Sequence, residues 1–451
     1  MATIQHRRNN KTAWANVNPV LAPGELGVEI GPDGMPSLFK IGNGLSTWNE
    51  LDYFTNEFGG VSEEFLDGRY SPKNRPLGDL MLPRSIIGPA SSEVTSFTTS
   101  ETLPTFTNIS YASGGQNLKK HAQFLGGSYE FMYNSYWQNT SLTPGTSPAG
   151  ALGFITDAQH IALQHTSFGA GDVQAYIDGR PINMRSDSHQ IPYGTQIYTD
   201  LVLSGPRRFR EIEFASGLPA FTALLFETND TVFPTAPKAL KVAIVGDSYI
   251  QGSMAEDKDG VLGLTQLAQA ERLRVLTGWD VMAAGIGGSG YLAGGSGGAS
   301  LSYGSQDRIN GLKNCQPDLV IVYGSINDNT FTEVEITAAA IAYYNKLNVE
   351  LPGIPVVVVG AEPYNVGFEP YDKIERAIQA AVESAPPNVT DYVNQREVSW
   401  FIGTGRVGSP TNDGNSSRML SADGLHPSND GMDLLGIRLK TLLSLAKAPL
   451  G

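Results

Sequence analysis

The feature that most restricts the fold is a change of hydrophobic period near residue 237. Beyond that point, apolar runs of strand length (Val242–Val245, Asp280–Ala284, Asp318–Tyr323, Pro355–Gly360) alternate with longer segments. Those segments, Gly263–Leu276, Glu333–Asn348, Asp372–Ser384 and Asp430–Lys447, carry apolar residues at helical spacing. Val398–Ile402 reads as a last strand. Short unbroken apolar runs separated by helices predict a parallel sheet buried on both faces, an α/β/α layer. In such sheets ligands sit outside the carboxyl ends of the strands, so the residues at those ends carry the functional argument.

The first run stops on Gly246-Asp247-Ser248 and delivers a hydroxyl to that edge. Serine becomes a nucleophile only when a base takes its proton. The chain has 6 histidines, and from residue 237 onward the single one is His426, in Asp423-Gly-Leu-His426-Pro. If Ser248 is activated by a histidine of its own domain, His426 is that base, and Asp423 can turn back to hold its tautomer. Each piece also has a bland reading. Asp and Ser favour N-caps and turns, and Asp-x-x-His can be a capped helix entry.

Two further strand ends bear on the choice. Gly285-Ile-Gly-Gly-Ser-Gly290 follows Asp280–Ala284, and its glycines let backbone N–H groups approach a ligand. Gly324-Ser-Ile-Asn-Asp328 places the amide of Asn327 at another end. Backbone N–H groups and an amide side chain are the donors that an oxyanion requires.

These blocks, in this order, resemble the SGNH (GDSL-like) hydrolases. The resemblance covers about 237–451 and implies an esterase. It assigns Ser248, Asp423 and His426 as the triad, with Ser248 N–H, Gly288 N–H and the Asn327 amide as oxyanion hole. Gly287 stands next to Gly288 and leaves the register of the second block open. Ala283 stands where the family often has Asn, and Ser325 where it commonly has Gly. Asp247, Tyr249, Gly287, Tyr291, Asp328 and Glu362 lie beside strand ends and are candidate pocket residues. No cofactor and no metal is expected; Asp257-Lys-Asp-Gly260 hints at a calcium loop but lacks further ligands, so an Asx turn is the better reading.

Upstream, residues 91–236 read as strands alone: Tyr129–Tyr133, Ala151–Ile155, His160–His165, Val173–Ile177, Gln196–Leu203 and Arg208–Phe214. Closely spaced strands without helices predict an antiparallel β-sandwich, jelly-roll-like. The arrangement resembles the β-sandwich that precedes the hydrolase domain in some two-domain carbohydrate esterases. Asp178-Gly179 reads as a hairpin turn. Tyr133, Tyr136, Trp137 and Phe168 are candidates for sugar stacking, although a buried core position is the better reading for any single one of them. Residues 56–90, punctuated by Pro72, Pro76, Pro83 and Pro89, read as a linker.

Residues 1–55 form a small β-rich module with few apolar residues and a slight core. Ile4-Gln-His-Arg-Arg8, Trp14, Asn18-Pro19-Val20-Leu21, Gly24-Glu25-Leu26-Gly27, Lys40-Ile-Gly42, Gly44 and Trp48-Asn49 resemble the N-terminal module of bacteriophage tail-fibre and receptor-binding proteins. That resemblance implies attachment to a virion tail, contact with other tail proteins and a homotrimer.

Composition narrows the rest. At 451 residues the chain exceeds one core, and a net charge of -14 argues against nucleic-acid binding. One cysteine, Cys315, excludes a disulfide framework within the chain. No signal-like or membrane-spanning run is present in the sequence, so synthesis in the host cytoplasm without membrane insertion is expected. The expectation is a multidomain tail-borne serine esterase that removes acyl groups, O-acetyl foremost, from host envelope glycans. The competing expectations are a catalytically silent glycan-binding tail protein and a cellular carbohydrate esterase.

Overall fold

The computed structural model describes residues 6–22, 26–29, 38–41, 45–51 and 93–445, without 114, 128, 133–135, 140–149, 167–172, 183–194, 218–219, 239, 255–267, 296–300, 363–368, 398 and 412. The linker at 56–90, Tyr133, Phe168 and Asp257–Gly260 therefore lie outside the described residues. The chain divides into two compact units, 1–76 and 77–451.

In the first unit, helix Lys11–Val17 is capped by Asn10, whose side chain accepts from Ala13 N–H at 2.9 Å. It ends at Asn18, which adopts the left-handed conformation with φ 42°. Trp14 stacks on Trp48, with centroids 4.2 Å apart, and Leu21 completes the small core. Lys40 lies over the Trp48 ring and donates to the carbonyls of Trp48 and Leu51. Strand Leu26–Glu29 pairs parallel with His6–Asn9 and antiparallel with Leu38–Ile41. A Cβ on Gly27 would sit 2.5 Å from the Trp48 ring, so only glycine admits that ring.

The second unit begins with two antiparallel sheets. The larger runs Val94–Ser100, Gln196–Leu203, His160–Thr166, Ala220–Glu227, Tyr136–Asn139, Tyr129–Met132, with Ile109–Ser113 also on Ala220–Glu227. The smaller runs Arg180–Pro181, Val173–Ile177, Arg210–Ser216, Gly150–Thr156, Val232–Pro234, with Gln123–Leu125 on Gly150–Thr156. Phe97, Leu163, Leu201 and Phe221 of one meet Phe154, Val173, Ile212 and Phe214 of the other in a shared core, which makes the pair a sandwich. From Gly150 on, most successive strands cross between the sheets, the habit of a jelly roll. Asp178 and Gly179 both take positive φ, 51° and 75°, as the tight turn between Ile177 and Arg180 requires. Ala220–Glu227 lies in the region read as strands but is not singled out there. An unbroken Ala-Phe-Thr-Ala-Leu-Leu-Phe run has no period of two because both its faces are covered.

The sheet that follows is parallel throughout, in the order Asp280–Gly285, Lys241–Gly246, Leu319–Tyr323, Val356–Val359, Val389–Val393. The last strand is thus Val389–Val393 and not Val398–Ile402; the described part of that later segment forms no strand. Val242–Val245 are fully buried, as expected of a central strand covered on both faces. Helices Gln269–Thr277 and Asn429–Leu445 pack together on one side, and Glu333–Glu350 and Glu369–Glu383 on the other. Moving first to one neighbour of Lys241–Gly246 and then to the other reverses the winding, and right-handed crossovers put the helices on opposite faces. The reversal opens a crevice beside the carboxyl end of Lys241–Gly246.

The sandwich is docked on this layer through buried polar contacts. Gly126 N–H donates to Asp280 at 2.6 Å, and buried Arg274 lies over the Tyr176 ring while pairing with Glu213 and Glu271. Paired charges can be buried there, whereas removal of one partner would strand the others.

Candidate active site

Three strand ends and one late loop meet at the crevice. Lys241–Gly246 ends in Asp247, which caps the short helix Ser248–Gln251 by accepting from Tyr249 N–H at 3.0 Å. Ser248 is the first helical residue, so its N–H has no partner within the helix. Its side chain is 8 % exposed and meets His426 Nε2 at 2.9 Å. His426 Nδ1 lies 2.6 Å from Asp423 Oδ2. The spacing along the chain, 178 residues between serine and histidine, is closed by the sheet edge.

Asp423 is held from several sides. Its Oδ1 accepts from Ser421 Oγ at 2.7 Å, Leu425 N–H at 2.8 Å and His426 N–H at 3.0 Å. Burial pushes its carboxyl up, but the bonds from His426, Ser421 and the two backbone groups outweigh that and bring it down to about 2. It is a carboxylate at any working pH and can keep the Nδ1 proton of His426 in place, leaving Nε2 to accept from Ser248.

The donors opposite this triad come from the second and third strand ends. Gly287 N–H is committed to Gln251 Oε1 at 2.7 Å. Gly288, exposed and at φ 74°, has no acceptor for its N–H among the described residues, and the same holds for Ser248. Of the two glycines the geometry therefore leaves Gly288 as the candidate donor. Asn327 Nδ2 donates to Asp247 Oδ2 at 3.1 Å and to the carbonyl of Ser289 at 2.9 Å. An incoming oxyanion would have to share one of those two N–H groups. Burial pushes the Asp247 carboxyl up to about 6, against the pull of the Tyr249 N–H.

The remaining candidate pocket residues are buried. Asp328 accepts from the N–H groups of Tyr291, Leu292 and Ala293 at 2.8, 3.1 and 2.8 Å and from Ser325 Oγ at 3.0 Å. It is a clamp between the second and third blocks, and Ser325 serves that clamp. Tyr291 turns inward, its hydroxyl 2.7 Å from that of Tyr344. Tyr249 and Glu362 are also enclosed; the Tyr249 hydroxyl donates to the Leu425 carbonyl. The expectation that Tyr249, Tyr291 and Glu362 shape the pocket is thus corrected: these side chains leave their strand ends toward the core. Asp247 likewise lies beneath the surface, and Gly287 is half-buried with its N–H already used.

Sequence reasoning missed Gln251, Ser289 and Ser421, which contact the groups above. Gln251 and Ser289 meet partners 36 and 38 residues away, which no local pattern marks, whereas Ser421 stands two residues before Asp423. Cys315 is buried and its thiol is pushed up to about 12 by burial, so it stays protonated. No group of metal-ligating side chains occurs among the described residues.

Residues 244–434 match the GDSL-like lipase/acylhydrolase family. The C-terminal region is a GDSL-like lipase/acylhydrolase domain, an ester hydrolase of the SGNH type. No curated protein matches the chain. Among solved structures, the fold is similar to an active-site mutant of a family two carbohydrate esterase from Clostridium thermocellum, at 13% identity and TM-score 0.54, over 72% of this chain and 98% of that one. It is similar to an acetyl xylan esterase from the rumen bacterium Butyrivibrio proteoclasticus, at 14% identity and TM-score 0.53, over 75% and 99%. It is also similar to a salicylyl-acyltransferase from a tetracycline biosynthetic pathway, at 12% identity and TM-score 0.53, over 77% and 100%. These likenesses reach beyond residues 244–434, so they take in sandwich and hydrolase layer together.

Proposed function

We propose that this protein is a serine esterase that removes O-acetyl groups from glycans, carried on a phage tail and directed at the host envelope. The observation that carries the chemistry is the 2.9 Å contact between Ser248 Oγ and His426 Nε2, with Asp423 behind the imidazole. His426 takes the Ser248 proton as Oγ bonds to the ester carbonyl carbon. The carbonyl oxygen becomes an oxyanion facing Ser248 N–H, Gly288 N–H and the Asn327 amide. Collapse breaks the bond to the sugar oxygen, which leaves with the proton from His426. Water then gives a proton to His426 and its oxygen to the acyl carbon; collapse releases acetate and returns the proton to Ser248.

The choice of a glycan ester rests on the similarity in fold to enzymes described as carbohydrate esterases, including an acetyl xylan esterase. The choice of a tail rests on the word order of residues 4–49. Among the described residues of that stretch, Trp14 stacks on Trp48, Lys40 lies over the Trp48 ring, Gly27 lies against it and Asn18 Oδ1 accepts from Asn49 N–H. A module so small, kept around two tryptophans, suits an anchor. A fluorophosphonate probe tests the enzyme reading, with labelling at Ser248 expected. Folded protein that resists the probe and releases no acetate from acetylated glycans would make the chain a glycan-binding protein. For the tail, virions assembled with a chain lacking residues 1–55 should lose the protein; unchanged incorporation would remove that assignment.

A further inference from the structure

Arg308 is the third residue of helix Gln306–Cys315, a place where an arginine usually meets solvent, yet it is only 1 % exposed. No carboxylate pairs with it among the described residues. Its guanidinium lies over the Tyr303 ring at 4.8 Å. Nη2 donates to the carbonyls of Gly246 at 2.9 Å and Ala284 at 2.5 Å, and Nη1 to Ser289 Oγ at 2.8 Å and the Leu301 carbonyl at 3.2 Å. An unpaired buried cation is costly, which calls for a reason to keep it.

Its partners supply the reason. Gly246 and Ala284 lie at the ends of the adjacent parallel strands that lead to Ser248 and Gly288. The register between those strands ends at Gly246 and Gly285, and one backbone bond follows it, Ile286 N–H to the Gly246 carbonyl at 3.2 Å, the same carbonyl that receives Arg308 Nη2. Ser289 carries the carbonyl that receives Asn327 Nδ2. One planar fork thus sits between the backbone of two candidate oxyanion donors and the residue that holds the third.

We propose that Arg308 is the positioning residue of the oxyanion hole, holding Gly246, Ala284 and Ser289 so that the N–H groups of Ser248 and Gly288 and the Asn327 amide converge on one point. This rests on the esterase reading. A lysine there would keep a positive charge but, as a point donor on a flexible stem, could not bridge both strand ends.

The test compares wild type with Arg308→Lys, Arg308→Met and Ser289→Ala, using p-nitrophenyl acetate, with active sites counted by fluorophosphonate. Phenylboronic acid probes the hole: Ser248 Oγ adds to boron, its proton passes to His426, and a boronate oxygen occupies the hole. A misplacement of about 1 Å costs on the order of 10²-fold, so kcat per titrated site of Arg308→Lys and Arg308→Met should fall about 10- to 100-fold. KM should stay within about twofold, and the boronate inhibition constant should rise in step with the loss in kcat. If both arginine variants misfold, Ser289→Ala removes one strut and should show the same pattern at about 3- to 10-fold. Wild-type kcat and boronate affinity per titrated site, in folded arginine variants or in Ser289→Ala, overturn the proposal while leaving the esterase intact. An unlabelled, inactive wild type overturns both.

Discussion

Tyr249, the residue after the nucleophile, donates its phenolic hydrogen to the carbonyl of Leu425, the residue before the histidine. Two catalytic segments that lie 176 residues apart in the chain are thus joined directly, one position away from each reacting side chain. The Tyr249 ring also lies 5.9 Å from the imidazole, so it backs His426 as well as tethering its loop. Tyr249→Phe keeps the ring and removes the tether. It leaves a carbonyl without its partner, at about 1–3 kcal/mol. Turnover should drop about tenfold with KM little changed, and the urea midpoint should shift down. Wild-type turnover would show that the loop is held by its other contacts alone.

The triad should behave as a unit. Ser248→Ala and His426→Ala are each expected to lower kcat by about 10⁶, and the double variant should be no worse than either. Asp423→Asn should cost about 10⁴, because an amide can still accept from Leu425 and His426 N–H but no longer favours the Nδ1–H tautomer. Independent, multiplying losses in the double variant would mean that the serine and histidine do not share one proton transfer.

The groups proposed to react are legible in the sequence because each stands at a strand end or in a short loop with few alternatives. Ser248 follows an apolar run, Asn327 another, and His426 had no competitor in its domain. The side chains around them were less legible. A residue after a strand can turn outward to ligand or inward to core, and Tyr249, Tyr291 and Glu362 all turn inward. Asp328 was visible as a polar residue beside Asn327, but its three backbone partners follow Gly290, a segment no local pattern connects to it. Arg308 was invisible for the same reason. Its helix reads as a polar surface segment, and only the tertiary fold shows that its first turn points beneath the crevice. Val389–Val393 escaped notice because an edge strand with Thr390 and Asp391 toward solvent carries few apolar residues.

Asn327 offers a graded test of the hole. Asn327→Ala should lower kcat by about 10²–10³ while sparing KM, the usual loss for one donor. The same change frees Asp247 Oδ2 and the Ser289 carbonyl, so thermal stability should fall too. Asn327→Asp is the sharper variant. It puts a second carboxyl against Asp247 and removes both N–H donors, so it should be less active than Asn327→Ala. Equal activities would indicate that the amide contributes shape and not donors.

Glu362 makes stability depend on pH. Its carboxyl is buried, with one oxygen 3.5 Å from the Tyr323 hydroxyl and the other without a hydrogen-bond partner among the described residues. Burial pushes it up from an ordinary 4.5 to about 8, the nearby Glu375 adding to the effect. Between those two values the folded protein keeps a proton that the unfolded chain has released. Raising the pH therefore favours unfolding across that window, and the dependence levels off above about 8. Urea midpoints of wild type should fall from about pH 5 to about pH 8, and Glu362→Gln, which has the shape of the neutral acid, should fall less steeply. A residual slope is expected from Glu375, which burial also pushes up, to about 7, although Tyr392, Gln395 N–H and Ala361 N–H oppose it. Parallel slopes in wild type and Glu362→Gln would mean that Glu362 ionises inside the fold without penalty, with its charge met by water or by a cation.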